Sequence, residues 1–268
     1  MTFPRPLVLV ALIAASLALS CSEKDSGDSS LKKIEDKKAF VLGLDDSFPP
    51  MGFRDENNEI VGYDIDLARE VCARNGWELV LQPIDWNAKE QELNTGNIDC
   101  IWNGFTITEE RRKQVNFSDP YLTNAQVVVV RGDSSARALA DFKGKLIGLQ
   151  AGSSAADAVE KNAAFKSSLK NIVEFKDNLL ALMDLEIGGV DGVVMDLLVA
   201  NDNIRRAGKD FRIINDYLSP EEYGIGFRLK DQALRNKVQE TLNAMAADGT
   251  VARISETWFG ADISTIGR

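Results

Sequence analysis

Five residues near the middle of the chain, Gln126-Val127-Val128-Val129-Val130, are its most restrictive stretch. A run so rich in β-branched residues is a strand buried on both faces, with cover above and below. On either side of it the sequence repeats one grammar of strand, turn and helix, so the run reads as a strand crossing between two α/β units. The first unit has strands at Ala39–Leu44 and Trp77–Leu81, and helices at Ile65–Arg74 and Ala88–Asn94, the last closed by Gly96. The second has strands at Leu146–Leu149, Ile172–Phe175, Val190–Val194 and Phe211–Ile214, with helices at Ala155–Asn162 and Leu179–Glu186. Tyr223-Gly224-Ile225-Gly226-Phe227 reads as the return crossing. Leu234, Val238, Leu242 and Met245 then form an apolar stripe at helical spacing, with Gly249 as a stop. The chain starts one lobe, leaves for a second and returns, and two crossing strands make a hinge.

Within the first unit, Asp45-Asp46-Ser47-Phe48-Pro49-Pro50 ends a strand and suits neither a helix nor a ladder. Asp64 suits an N-cap, and Ile65, Leu67, Ala68, Val71 and Cys72 face the sheet. The N-terminus carries Arg5, an apolar run from Leu7 to Leu19, then Ser20-Cys21 and a polar tract without apolar periodicity. Residues 1–20 read as a signal peptide and 21–37 as a flexible tether. The ending resembles a lipobox with Cys21 as the lipidated residue, although Ala18 stands at the third position before the cysteine, where a leucine is usual; an ordinary cleaved signal also fits, and either way the protein is exported. Cys72 and Cys100 read as buried thiols on a helix face and in a strand.

Composition removes several functions. The net charge is −10 and no long basic run occurs, so nucleic acid is not an expected partner. There is no histidine, which removes Ser-His and Cys-His nucleophile pairs, and neither a metal nor a cofactor is expected of these residues.

Polar groups gather between Asp99 and Tyr121. Cys100–Trp102 reads as a short buried strand, Asn103-Gly104 stops it, and Thr108 opens a helical turn through Glu109, Glu110 and Arg111. Ligands bind at such strand ends in open α/β sheets. Thr106 and Arg111 are the groups placed to meet one, because an arginine can fork onto a carboxylate with two parallel hydrogen bonds. Arg111 alone would equally suit a solvated helix surface.

Gly62-Tyr63-Asp64-Ile65-Asp66-Leu67-Ala68, Gly96-Asn97-Ile98-Asp99, Thr106-Ile107-Thr108-Glu109-Glu110-Arg111 and Phe117-Ser118-Asp119-Pro120-Tyr121, in that order, resemble the family 3 extracellular solute-binding proteins, amino-acid receptors of bacterial ABC importers. The resemblance runs from about Phe40 to Phe259. It implies an α/β, two-lobed periplasmic-binding-protein fold of type II, each lobe a mixed sheet with flanking helices. Residues 38–125 and 226–268 would make lobe 1, and 126–225 lobe 2 with the hinge strands. By the same resemblance Arg111 binds an α-carboxylate, helped by Thr106 and the backbone amides of Ser153 and Ser154. Asp196, joined by the Gly104 carbonyl, accepts the α-ammonium. Phe48 and Trp86 would wall the ligand's side chain and Asp45 would read its end, with Asp46 or Glu90 adding to it; Asp45 also suits an Asx turn. Asn103 and Gln150 complete the set and depart from several relatives, so the substrate does not carry across.

The implied function is capture of a free L-α-amino acid, polar or cationic, and its delivery to a membrane permease by a tethered monomer. An enzyme resembling the cyclohexadienyl dehydratases, with Glu90 or Asp45 as general acid, uses the same scaffold. A ligand-sensing receptor is the third reading, of which a transmembrane or kinase segment beyond Arg268 would be expected.

Overall fold

A computed structural model describes residues 28–268. The signal peptide and Cys21 lie outside the described residues. The chain opens with helix α1 (Ser30–Lys37), then β1 (Ala39–Leu44), β2 (Ser47–Phe48), β3 (Gly52–Arg54), β4 (Ile60–Val61) and α2 (Tyr63–Asn75). Next come β5 (Glu78–Pro83), α3 (Lys89–Thr95), β6 (Cys100–Ile101), α4 (Glu109–Arg112) and β7 (Val115–Phe117). The middle holds β8 (Leu122–Arg131), β9 (Leu146–Gln150), α5 (Ser154–Lys161), α6 (Ala163–Ser168), β10 (Asn171–Phe175), α7 (Asn178–Ile187), β11 (Gly192–Asp196) and α8 (Leu197–Ala207). The chain closes with β12 (Phe211–Tyr223), β13 (Gly226–Arg228), α9 (Gln232–Ala247) and α10 (Thr250–Phe259).

Two five-stranded mixed sheets carry the two lobes. One, ordered β5-β1-β6-β13-β7, draws strands from both ends of the chain; the other, β10-β9-β11-β8-β12, is built from residues 122–223 alone. Helices flank both. In the first lobe Ile65, Leu67, Ala68 and Val71 of α2 and Leu234, Val238, Leu242 and Met245 of α9 are fully or almost fully buried. Cys72 and Cys100 are buried free thiols. Val127 to Val130 are wholly buried in β8, which lies between β11 and β12 as a run apolar on both faces must.

Several expectations need correction. Part of the expected tether, Ser30–Lys37, is helical: Ile34 is buried, Leu31 packs against the same core, and Ser30 donates through its N–H and its Oγ to the Asp28 carboxylate, while charged residues cover the outer face. Asp64 is not an N-cap. Gly62 holds that place, at a φ of +147° where a Cβ would meet the Met51 carbonyl, and Asp64 turns its carboxylate inward to Gly104 N and Tyr121 OH. Ser47–Phe48 does enter a ladder, paired with Gly52 and Phe53, before and after a cis Pro49–Pro50 peptide. The return crossing begins much earlier than Tyr223: β12 runs from Phe211 and pairs antiparallel with β8 from Arg131 back to Leu122, with register shifts around Tyr217. Gly249 ends one helix and, at φ +80°, begins another.

Candidate functional site

The candidate site lies where parallel strands end. Asp45 follows β1, Asn103 and Gly104 follow β6, Gln150 ends β9 and Asp196 ends β11, so side chains from both sheets converge at carboxyl-terminal strand edges. Thr108 caps α4 by accepting from Arg111 N at 3.1 Å, which fixes the start of the arginine's helical turn.

Arg111 is buried, with its guanidinium 4.6 Å from the centre of the Phe105 ring. It donates to the Thr106 carbonyl at 2.9 Å and, across the cleft, to the Gly152 carbonyl at 3.2 Å. Lys89 reaches the same carbonyl at 2.9 Å and the Trp86 carbonyl at 3.1 Å. Two cations of the first lobe therefore hold one backbone oxygen of the second. Burial, and then the Arg111 charge, lower the Lys89 pKa to about 8. Burial also lowers Arg111, against the opposing pull of Glu90, Asp157, Glu221 and Asp196. Gly152 sits at φ +68°, and a Cβ there would stand 3.0 Å from the Asn87 Cα. Only glycine meets both demands. A cavity of about 320 Å³ adjoins this contact, lined in part by Lys89, Glu90, Arg111, Gly152 and Asp157.

A second cluster surrounds Asp45. Its Oδ2 accepts from Gln150 Nε2 at 2.7 Å and its Oδ1 from Ser47 N at 2.9 Å, while Asn103 Oδ1 accepts from Asp45 N at 3.1 Å. The Asx turn and the cleft contact thus coexist, one on each oxygen. Gln150 is held in turn by the Lys176 carbonyl and by Asn178. Burial raises the Asp45 pKa to about 6.

Deeper in the cleft, Thr106 Oγ1 lies 3.1 Å from Ser154 Oγ, a contact between lobes. Asp196 is buried and accepts from Tyr223 OH at 2.6 Å and Asn124 Nδ2 at 2.8 Å. Its pKa is raised by burial and by the nearby Glu221 charge. Ser153 is spent on the turn that starts α5: its Oγ donates to the Gln150 carbonyl at 2.7 Å and its N–H to the same oxygen at 3.3 Å. Of the two expected amides, the Ser154 N–H is the one at the first turn of α5, where no intrahelical acceptor exists.

Phe48 lies against Gly104: a Cβ on that glycine, at φ +57°, would be 2.9 Å from the Phe48 ring and 3.2 Å from the Tyr223 ring. Trp86 is largely a core residue, edge-on to Phe105 with centroids 5.8 Å apart, and Lys89 Nζ lies 5.3 Å from its ring centre. Asp46 is drawn away into an ion pair with Arg54. Glu90 pairs with Lys89 at 3.3 Å, beside Arg111 rather than beside Asp45.

Sequence reasoning missed Lys89, Asn124, Gln126, Glu221 and Tyr223. Lys89 and Glu221 sit in charged runs, Ala-Lys-Glu-Gln-Glu and Pro-Glu-Glu, which read as solvated surface. Asn124 and Gln126 alternate on the strand that carries the valines, and that alternation, which places both on one face, is their signal in the sequence.

Residues 40–261 match the sequence profile of the bacterial extracellular solute-binding proteins, family 3. The chain is 27% identical over 259 residues to the L-cystine-binding protein TcyJ of Escherichia coli strain K12, covering 96% of both chains. It is 31% identical to the ABC transporter arginine-binding protein 1 of the same organism, covering 95% of this chain and 99% of that one. In structure it resembles an ABC uptake transporter substrate-binding protein from Streptococcus pneumoniae with bound histidine, at a TM-score of 0.87 and 37% identity, over 90% of this chain and 99% of the other.

Proposed function

Because the chain belongs to family 3 of the bacterial extracellular solute-binding proteins, we propose that it binds one free L-α-amino acid, polar or cationic, between its lobes and delivers it to an ABC-transporter permease. One observation carries the reading: Arg111 of the first lobe and Asp196 of the second are both buried, and the two lobes already meet between them through Thr106 and Ser154. An amino acid has two fixed charges, and burying either without a counter-charge costs several kcal/mol. Arg111 answers the carboxylate with the Ser154 amide, and Asp196 the ammonium. A ligand that contacts both lobes stabilises the closed form by its differential affinity. Asp45 and Gln150 then face the side chain, and a carboxylate there favours a cation or a hydrogen-bond donor. Hydrogen bonds to charged groups contribute roughly 1.5–3 kcal/mol each, so a few of them reach the roughly 8 kcal/mol of micromolar binding after ordering costs.

In this reading the protein acts outside the cytoplasm as a monomer, held at the membrane by a lipid on Cys21. It is a receptor, and Asp45 and Glu90 have no catalytic part.

A thermal-shift screen of the chain from Ser22 onward against the common amino acids, cystine, ornithine and prephenate tests it. At a hundredfold excess over Kd the ligand stabilises the fold by about 2.7 kcal/mol. A rise with an amino acid and no turnover is expected. A rise with prephenate alone, followed by its consumption, overturns the reading.

A further inference from the structure

Two carboxylates meet at the base of the cleft, and each is anchored by one oxygen. Glu221, on the crossing strand β12, accepts at Oε2 from Gln126 Nε2 at 3.0 Å, Thr106 Oγ1 at 3.1 Å, Asn124 Nδ2 at 3.2 Å and Ser154 Oγ at 3.3 Å. Asp196 uses Oδ1 for Tyr223 and Asn124. Asn124 Nδ2 thus ties the two anchors together. Their other oxygens, Glu221 Oε1 and Asp196 Oδ2, accept no hydrogen bond within 3.5 Å among the described residues, although the Gln126 side chain and the Asp196 N–H stand close enough to oppose the rise in the Asp196 pKa. Gln126 is wholly buried, with its amide nitrogen committed to Glu221 and Ser154, and its Oε1 is a buried acceptor without a partner. No lysine or arginine among the described residues bonds either carboxylate; Arg111 is turned to backbone carbonyls, and Lys89 to backbone carbonyls and Glu90. Three acceptors without a partner, on side chains that hydrogen bonds join into one cluster, and an excess of negative charge match, in number and in sign, the three N–H donors of a primary ammonium.

We propose that Glu221 and Gln126 join Asp196 in binding the α-ammonium of the ligand, so that the site selects for a primary ammonium through residues of the hinge strands as well as the second lobe. The assignment rests on the amino-acid reading above. Glu221 Oε2 positions the group by touching Thr106 of one lobe and Ser154 of the other, and Oε1 accepts a hydrogen bond from one ammonium N–H. A ligand without the ammonium leaves the same three acceptors unanswered and gains nothing from them.

Calorimetry tests this. The tightest binder among the common amino acids and cystine is compared with the same molecule carrying hydrogen in place of its α-ammonium, on the wild type, Glu221→Gln and Glu221→Asp. Glu221→Gln should weaken the amino acid about ten- to hundredfold, the loss of one charged hydrogen bond, and leave the ammonium-free analogue within twofold. Glu221→Asp keeps the charge with a shorter reach and should lose less; it is the deciding variant if Glu221→Gln does not fold. An amino-acid affinity unchanged in a folded variant, or an equal loss for both ligands, overturns the assignment while the amino-acid reading stands. A wild type that binds no amino acid overturns that reading instead.

Discussion

Gln150 of the second lobe donates a 2.7 Å hydrogen bond to the Asp45 carboxylate of the first. A contact between lobes made at a buried charge has consequences for both closure and selectivity, because a carboxylate in low dielectric holds its donor strongly and misses it severely when it is lost.

Asp45 titrates at about 6, pushed up by burial. A cationic ligand needs the ionised form, so affinity for such a ligand should fall as pH drops through about 6. Asp45→Asn should lower affinity at pH 8 by about tenfold, one charged hydrogen bond, and flatten that pH profile. Calorimetry between pH 5 and 8 reads both, and a profile unchanged by the substitution removes Asp45 from the side-chain contact.

Arg111→Ala should cost about a hundredfold or more in affinity, from the loss of a bidentate charged contact. Arg111→Lys should not restore it, because an ammonium cannot form the fork. Equal affinities in titrations of folded proteins would remove Arg111 from the carboxylate.

Gly152→Ala should leave each lobe folded and weaken ligand binding by about tenfold, since positive φ and an opposing backbone 3.0 Å away both resist a methyl group. Small-angle scattering with saturating ligand should show a less compact particle than the wild type. An unaltered profile would mean that the Gly152–Asn87 approach does not limit closure.

Asp64 is wholly buried, and burial raises its pKa to about 7. The folded state thus holds a proton that the unfolded state gives up from about 4 upward. Stability from this group is complete below the unfolded value and is lost as pH rises through about 7, a span worth at most a few kcal/mol. Denaturant midpoints should decline from pH 5 to 8. Asp64→Asn should reduce that slope, and an identical slope in the variant would assign it to other groups.

Cys21→Ser should move the protein from the membrane fraction to the soluble one after cell fractionation. Retention on the membrane would end the lipid-anchor reading.

What could be read beforehand shares one property: local pattern and tertiary role agree. Thr108 caps the turn that carries Arg111, and Gly152-Ser153-Ser154 opens a helix between a strand and an apolar run. The failures come where they disagree. Helix α8 starts directly at Leu197, with no loop after β11 and a polar Asn-Asp-Asn inside it, so no boundary was visible. Asn215 to Glu222 is polar enough to read as loop, yet Tyr217 and Ser219 to Glu222 pair with β8, because a hinge strand has one side turned to the cleft rather than to a core. Glu221 and Lys89 look like surface charges in sequence and meet the opposite lobe, at Thr106 and Gly152, only where the two lobes come together. Asp64 shows the converse, a residue of good capping type drawn inward by Gly104 and Tyr121.

The Lys89 ammonium lies against the Trp86 ring while its proton is shared with a carbonyl of the opposite lobe. The other tryptophans are placed differently: Trp77 packs on Phe40, Trp102 is wholly buried and Trp258 is bonded to Asp66. Parting of Gly152 from Lys89 would leave the ammonium on the Trp86 carbonyl and Glu90 and admit water beside that one indole, the only tryptophan among the described residues whose ring neighbour is bonded across the cleft. One tryptophan is thus placed to act as an optical reporter, and the colour and yield of its emission should change with ligand if the lobes move apart and together.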